Sequence, residues 1–120
     1  MPVAITYLHH THPDIPHYGA ESWTYTKGAL ATVDRSLGFI GRHLFHEIVD
    51  FHVIHHLFPT IPFYKAEEAT TAARNILGSL YREQKDENFY HSFFQTFSSC
   101  KFVSSPLHGE AIFHWETAKL

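Results

Sequence analysis

The chain has 120 residues, with 9 Lys and Arg against 12 Asp and Glu and a formal net charge of −3. That length suits one domain with a modest core, and scattered positive charges on a slightly acidic chain leave no footprint for DNA or RNA. The single cysteine, Cys100, excludes an intrachain disulfide and a cysteine-built zinc site, fits a reducing, cytosol-facing environment, and reads as a packing residue rather than a nucleophile.

In chain order, the first eight residues are too short and lack the basic start of a signal peptide. No apolar run of about 20 residues is present to span a bilayer. His9 to Tyr18 carries four histidines with Pro13, Asp14 and Pro16, which predicts a turn leaving the end of a helix. An exposed turn would give His9 and His17 only surface polar contacts. Residues 21–33 can form a short helix weakened by Gly28 and by Thr24, Thr26 and Thr32.

From Ser36 to Phe58 the positions Leu37, Ile40, Leu44, Ile48, Phe51 and Phe58 recur at three- and four-residue steps. They predict one helix stopped by Pro59 and interrupted at most near Gly38 and Gly41. Residues 65–82 predict another, with Glu67 and Glu68 in its first turn. Lys85 to Asn88 reads as a solvated connector and 89–97 as a short helix. Residues 101–103 and 111–115 read as strands of a terminal hairpin around turn chemistry at Ser104 to Gly109. The predicted fold class is mainly α with a small C-terminal β-hairpin.

Twelve histidines and 16% aromatic residues, 11 of them Phe, together point to metal ligation beside an apolar or interfacial surface. His52, His55 and His56 stand three and four residues apart, so a helix brings their imidazoles to one side. In so histidine-rich a chain this pattern arises by chance in roughly one sequence in ten, so it needs support. On a helical wheel the three fall with Leu44, Phe45 and Ile48 on the apolar face. Imidazoles pushed there cost roughly 1 to 3 kcal/mol each unless a metal or another partner takes their nitrogens. His43, His46, Glu47 and Asp50 fall on the opposite, polar side, with His46 and Asp50 spaced to pair. A nitrogen-rich site without cysteine suits iron or zinc alike.

The blocks from Thr6 to Pro13 with Pro16-His17-Tyr18, from Gly28 to Arg35, Phe45-His46, Asp50, the box at His52, His55 and His56, and then Leu57 to Tyr64 and Ala66 to Thr70 follow in a fixed order. That order resembles the C-terminal part of membrane-bound plant and fungal acyl-lipid desaturases of the oleate Δ12 or linoleate ω3 type. The resemblance runs through most of the chain to Arg82. It implies a cytosolic cap on a membrane desaturase, activating dioxygen at two irons to introduce a double bond into a fatty acyl chain, with cytochrome b5 as electron donor at the endoplasmic reticulum membrane. It also implies that His52, His55 and His56 are a third histidine box and that His10 or His12 is a further iron ligand. His9 stands where many relatives carry glutamine, so no ligand role passes to it. The family's first two histidine boxes and membrane helices are not in residues 1–120, which implies a partial ligand set and no desaturase activity for the chain alone. The competing reading is a small soluble histidine-rich module that binds zinc or iron without desaturase activity.

Overall fold

The computed structural model describes residues 2–84, 88–104 and 111–117. Six short helices dominate them. The first, α1 (Pro2–His10), opens on a proline whose fixed φ suits a first helical position. It ends just ahead of His12-Pro13, where the residue before a proline leaves helical space. Strand β1 (His17–Tyr18) follows. The weak helix expected over 21–33 forms only as α2 (Tyr25–Leu30), capped by the Thr24 hydroxyl, which accepts from the Lys27 amide at 3.3 Å. Beyond it, Thr32 and Val33 run into β2 (Asp34–Arg35), their β-branches favouring extended backbone.

The single helix expected from Ser36 to Phe58 is corrected to two, α3 (Gly38–Leu44) and α4 (His52–Leu57). Between them His46 and Glu47 adopt φ of 49° and 60°, left-handed values that no α-helix accommodates. The chain turns there because Val49 is held elsewhere: its carbonyl accepts the Arg35 amide at 3.2 Å. Val49 and Asp50 are both buried, Asp50 packing where Gly41 leaves room, so the expected polar face with a His46–Asp50 pair is not what forms. The His46 ring instead meets Phe63 edge-on at 5.0 Å.

One 3₁₀ turn at Phe63–Lys65 leads into α5 (Ala66–Leu77), whose first turn carries Glu67 and Glu68 as expected. The helix was expected to reach Arg82. It stops at Leu77 because Gly78, at φ 53°, turns the chain out. After a second 3₁₀ turn comes β3 (Glu83–Gln84). The connector expected at Lys85 to Asn88 lies outside the described residues except for Asn88. That side chain accepts the Tyr90 amide at 2.9 Å and caps α6 (Phe89–Ser99).

Three strands follow among the described residues: β4 (Cys100–Val103), β5 (Ile112–Phe113) and β6 (Trp115–Thr117). The expected hairpin is present as the antiparallel β4–β6 pair, with Val103 opposite Trp115. Residues 105–110 of its turn lie outside the described residues. Strand β5 leaves the hairpin to pair antiparallel with β1, His17 facing Phe113. The third pair is parallel, β2 with β3, Asp34 facing Glu83.

The apolar core sits where α4 meets α5. Phe51, Ile54 and Ala66 are buried, with Leu57, Ile61, Ala69 and Ala73 packed around them. Cys100 is buried, as its packing role requires, and burial raises its thiol pKa. Among the described residues no helix is long and apolar enough to cross a membrane.

Candidate metal centre

His10, at the end of α1, and His52 and His56, on α4, bring three imidazoles together. His10 Nε2 lies 3.3 Å from His52 Nε2, and His56 Nε2 lies 3.0 Å from the same atom. Each of the three offers a nitrogen within 4.8 Å of the others. His52 and His56 share a side of α4 because they are four residues apart. His10 arrives from 42 residues earlier, on the end of another helix.

The hydrogen bonding of His52 decides what such a cluster can do. Its Nδ1 lies 3.2 Å from the Ile48 carbonyl, and since a carbonyl only accepts, Nδ1 carries the proton and Nε2 is left with a bare lone pair. Both neighbouring Nε2 atoms are aimed at that single lone pair, which can accept one good hydrogen bond and not two. A cation would take all three lone pairs at once. At a metal–nitrogen distance of about 2.1 Å, nitrogens separated by the observed 3.0 and 3.3 Å subtend roughly 90 and 105°. Those two angles, together with three imidazole donors and no thiolate, suit a nitrogen-bound divalent metal such as iron or zinc.

Electrostatics keep the ligands in the neutral form that metals require. Burial, with His10 and His55 adding, lowers the pKa of His56 to about 4. Burial and then the neighbouring imidazoles hold His52 lower still, and burial alone lowers His10.

His9, expected to be a surface residue, is the correction of most consequence: it is 1% exposed. Its Nδ1–H donates to the Val33 carbonyl at 2.6 Å, and its ring stacks on His52 with centroids 4.3 Å apart. Burial lowers its pKa to about 4, against the Val33 hydrogen bond, which pulls the other way. The signal for this was weak in the sequence. His9 follows Leu8, which is itself buried, and an α1 running on to His10 turns both inward. His17, also expected at the surface, is half-buried with its ring edge-on to Trp115 at 4.8 Å.

The remaining residues singled out from the sequence are not among the three converging nitrogens, although the His55 ring lies 6.0 and 5.9 Å from those of His52 and His56. His55 is exposed and lines an apolar cavity of about 320 Å³ with Phe45, Ile48, Phe51 and Ile54. His12 turns to its own loop, where its Nδ1 accepts the Asp14 amide at 3.2 Å. The wheel that set all three box histidines on one apolar face with Leu44 and Ile48 fails with the helix it assumed. Leu44 is 70% exposed, and the inward positions of α4 belong to Val53 and Ile54.

No family model and no solved structure matches the chain. Curated proteins do. The chain is 48% identical over 104 residues to an oleate hydroxylase of Claviceps purpurea, an alignment covering 84% of the chain and 22% of the relative. It is 56% identical over 80 residues to a Δ12-oleate desaturase of Trichosanthes kirilowii (67% and 21%), and 44% identical over 111 residues to a Δ12 fatty acid desaturase of Mortierella isabellina (92% and 27%). The chain thus spans about a fifth to a quarter of the length of these relatives. With 44 to 56% identity over 67 to 92% of its length, the chain belongs to the plant and fungal Δ12 fatty-acid desaturase and hydroxylase family.

Proposed function

We propose that this chain supplies part of the histidine cage of a di-iron acyl-lipid desaturase, with His10, His52 and His56 holding one metal and His55 and His12 contributing to the rest of the cage. The convergence of three imidazole nitrogens on one point carries the reading. Iron bound there would supply dioxygen activation for removing two hydrogens from a methylene pair of a fatty acyl chain. The chain's own residues orient and insulate. The Ile48 carbonyl fixes the His52 tautomer and strengthens its Nε2 as a donor. His9 stacks on the other side of that ring and keeps water from it. The Tyr25 hydroxyl donates to the His56 carbonyl at 2.8 Å, tying α2 to the ligand helix.

Electrons would come from cytochrome b5, and the work would take place at the cytosolic face of the endoplasmic reticulum membrane. Residues 1–120 carry neither of the family's other histidine boxes, so the isolated chain lacks desaturase activity on this reading. The test is expression in a yeast without its own oleate desaturase. The chain alone is expected to give no new diene. The same residues grafted in place of the matching segment of the Mortierella isabellina relative should give one, and the graft carrying His52→Ala should not. A diene from the chain alone overturns its inactivity, and an inactive graft present at normal protein level overturns the assignment.

One observation favours the alternative, a self-contained zinc or iron module: the three nitrogens close on a single point and so serve one ion. Equimolar zinc in the purified chain, together with metal-dependent folding, would select it.

A further inference from the structure

Val33, Asp34 and Arg35 lie between the two helices that carry the converging histidines, and their polar atoms reach both. Toward α1, the Arg35 Nε donates to the Leu8 carbonyl at 2.9 Å and the Val33 amide to the His9 carbonyl at 3.0 Å. These belong to the last carbonyls of α1, which have no partner inside the helix. Toward α4, Asp34 Oδ1 accepts the Val53 amide at 2.7 Å, one of the first amides of that helix and equally without a partner inside it. The signs are matched: a carboxylate meets the amide end of α4, and a guanidinium meets the carbonyl end of α1.

Both residues are buried, Asp34 at 0% and Arg35 at 5% exposure. They are held from behind. Asp34 Oδ2 accepts from the Tyr81 hydroxyl, Arg35 Nη1 donates to Gln84 Oε1 at 2.6 Å, and β2 is paired in parallel with β3. Burying charged residues is seldom the most stable way to fill such space, since apolar residues of similar volume often do as well. What directional bonds add is position, and a metal site tolerates only about 0.5 Å of misplacement.

We infer that Asp34 and Arg35 form a positioning clamp that sets how α1 approaches α4, and with it the distance at which His10 meets His52 and His56. The inference rests on the metal reading above. Each acts through the backbone of a ligand-bearing helix.

The test uses the purified 120-residue chain with Co(II) as the probe metal, circular dichroism as the check on folding, and amide hydrogen exchange at Val53 as a readout that needs no metal. Asp34→Asn loses the charge and keeps an oxygen for the Val53 amide; Asp34→Ala keeps neither. In Asp34→Ala, Co(II) affinity should fall about 10- to 100-fold and Val53 exchange should quicken at least about tenfold, while Asp34→Asn stays within about threefold of wild type in both. Arg35→Met and Arg35→Lys repeat the contrast at the α1 end, and carry the test should Asp34→Ala fail to fold. Folded Ala and Met variants that bind Co(II) as wild type does overturn the clamp. An Asn variant that falls as far as Ala overturns it too, since charge and not the hydrogen bond would then be responsible. The metal reading fails separately, if the wild-type chain binds no Co(II) or the His52→Ala variant binds it equally well. The clamp is then decided by Val53 exchange alone: protection kept in Asn and lost in Ala upholds it, and equal protection in both overturns it.

Discussion

The histidine end of the molecule and its aromatic faces are built on opposite terms. Around the converging imidazoles, polar and charged side chains are buried: His9, Asp34 and Arg35 are each 5% exposed or less. Along α3 and α6 the large apolar side chains face outward, Phe39, Leu44, Phe94 and Phe97 among them. Most globular chains do the reverse. Burying polar groups is worthwhile only where their hydrogen bonds fix something, and here they fix the ends of α1 and α4. The stability of the described residues is therefore concentrated at the site, with little contributed by the outward aromatics.

The strongest challenge to that contrast is Ile54→Ala. Ile54 is 2% exposed in the core beneath the box, and its truncation should cost about 2 to 5 kcal/mol in urea unfolding. A cost under 1 kcal/mol would mean that the α4–α5 core does not hold the site.

Acid should act on the same end. The folded-state pKa values of His9 and His56 lie near 4, below the ordinary value of about 6.5 that an unfolded chain restores. Between those values the unfolded chain binds more protons, so stability is whole above about pH 6.5 and is lost as pH falls through about 4. Urea midpoints of the metal-free chain should drop steadily across that window and stay level from pH 7 to 8. A flat profile down to pH 4 would show that the imidazoles are not buried as described.

Gly41→Ala is smaller in effect. A Cβ there would come within 2.9 Å of Asp50 Oδ2 and 3.1 Å of Leu37 Cβ, and overpacking of this kind costs about 1 to 3 kcal/mol. Retention of wild-type stability would show the α3–Asp50 contact to be loose. Least of all, Phe94→Ala on the outward face of α6 should change stability by no more than about 0.5 kcal/mol. A loss matching that of Ile54→Ala would erase the distinction between the two regions.

Much of the local structure was legible in the residues. Pro13 and Pro16 marked the turn after α1, Glu67 and Glu68 marked the start of α5, and strand-like segments around turn chemistry marked the β4–β6 hairpin. These are local signals, set by backbone sterics and by charge near helix ends, and they survive in any fold. The break between α3 and α4 was not legible. The apolar spacing from Leu37 to Phe58 is good helical spacing, and the left-handed turn at His46 and Glu47 goes with contacts that spacing does not encode, the Arg35 amide on the Val49 carbonyl and Asp50 packed against Gly41.

The site divides the same way. By themselves the residues determined that His52 and His56 share a side of a helix, because a four-residue step on 3.6 residues per turn allows little else. Only the tertiary structure decided that His10 joins them and that His9 is buried against the His52 ring. The reason is physical: those placements depend on how α1 docks on α4, which is set by hydrogen bonds from Asp34 and Arg35 spanning 19 and 27 residues. No spacing rule along the chain carries that information.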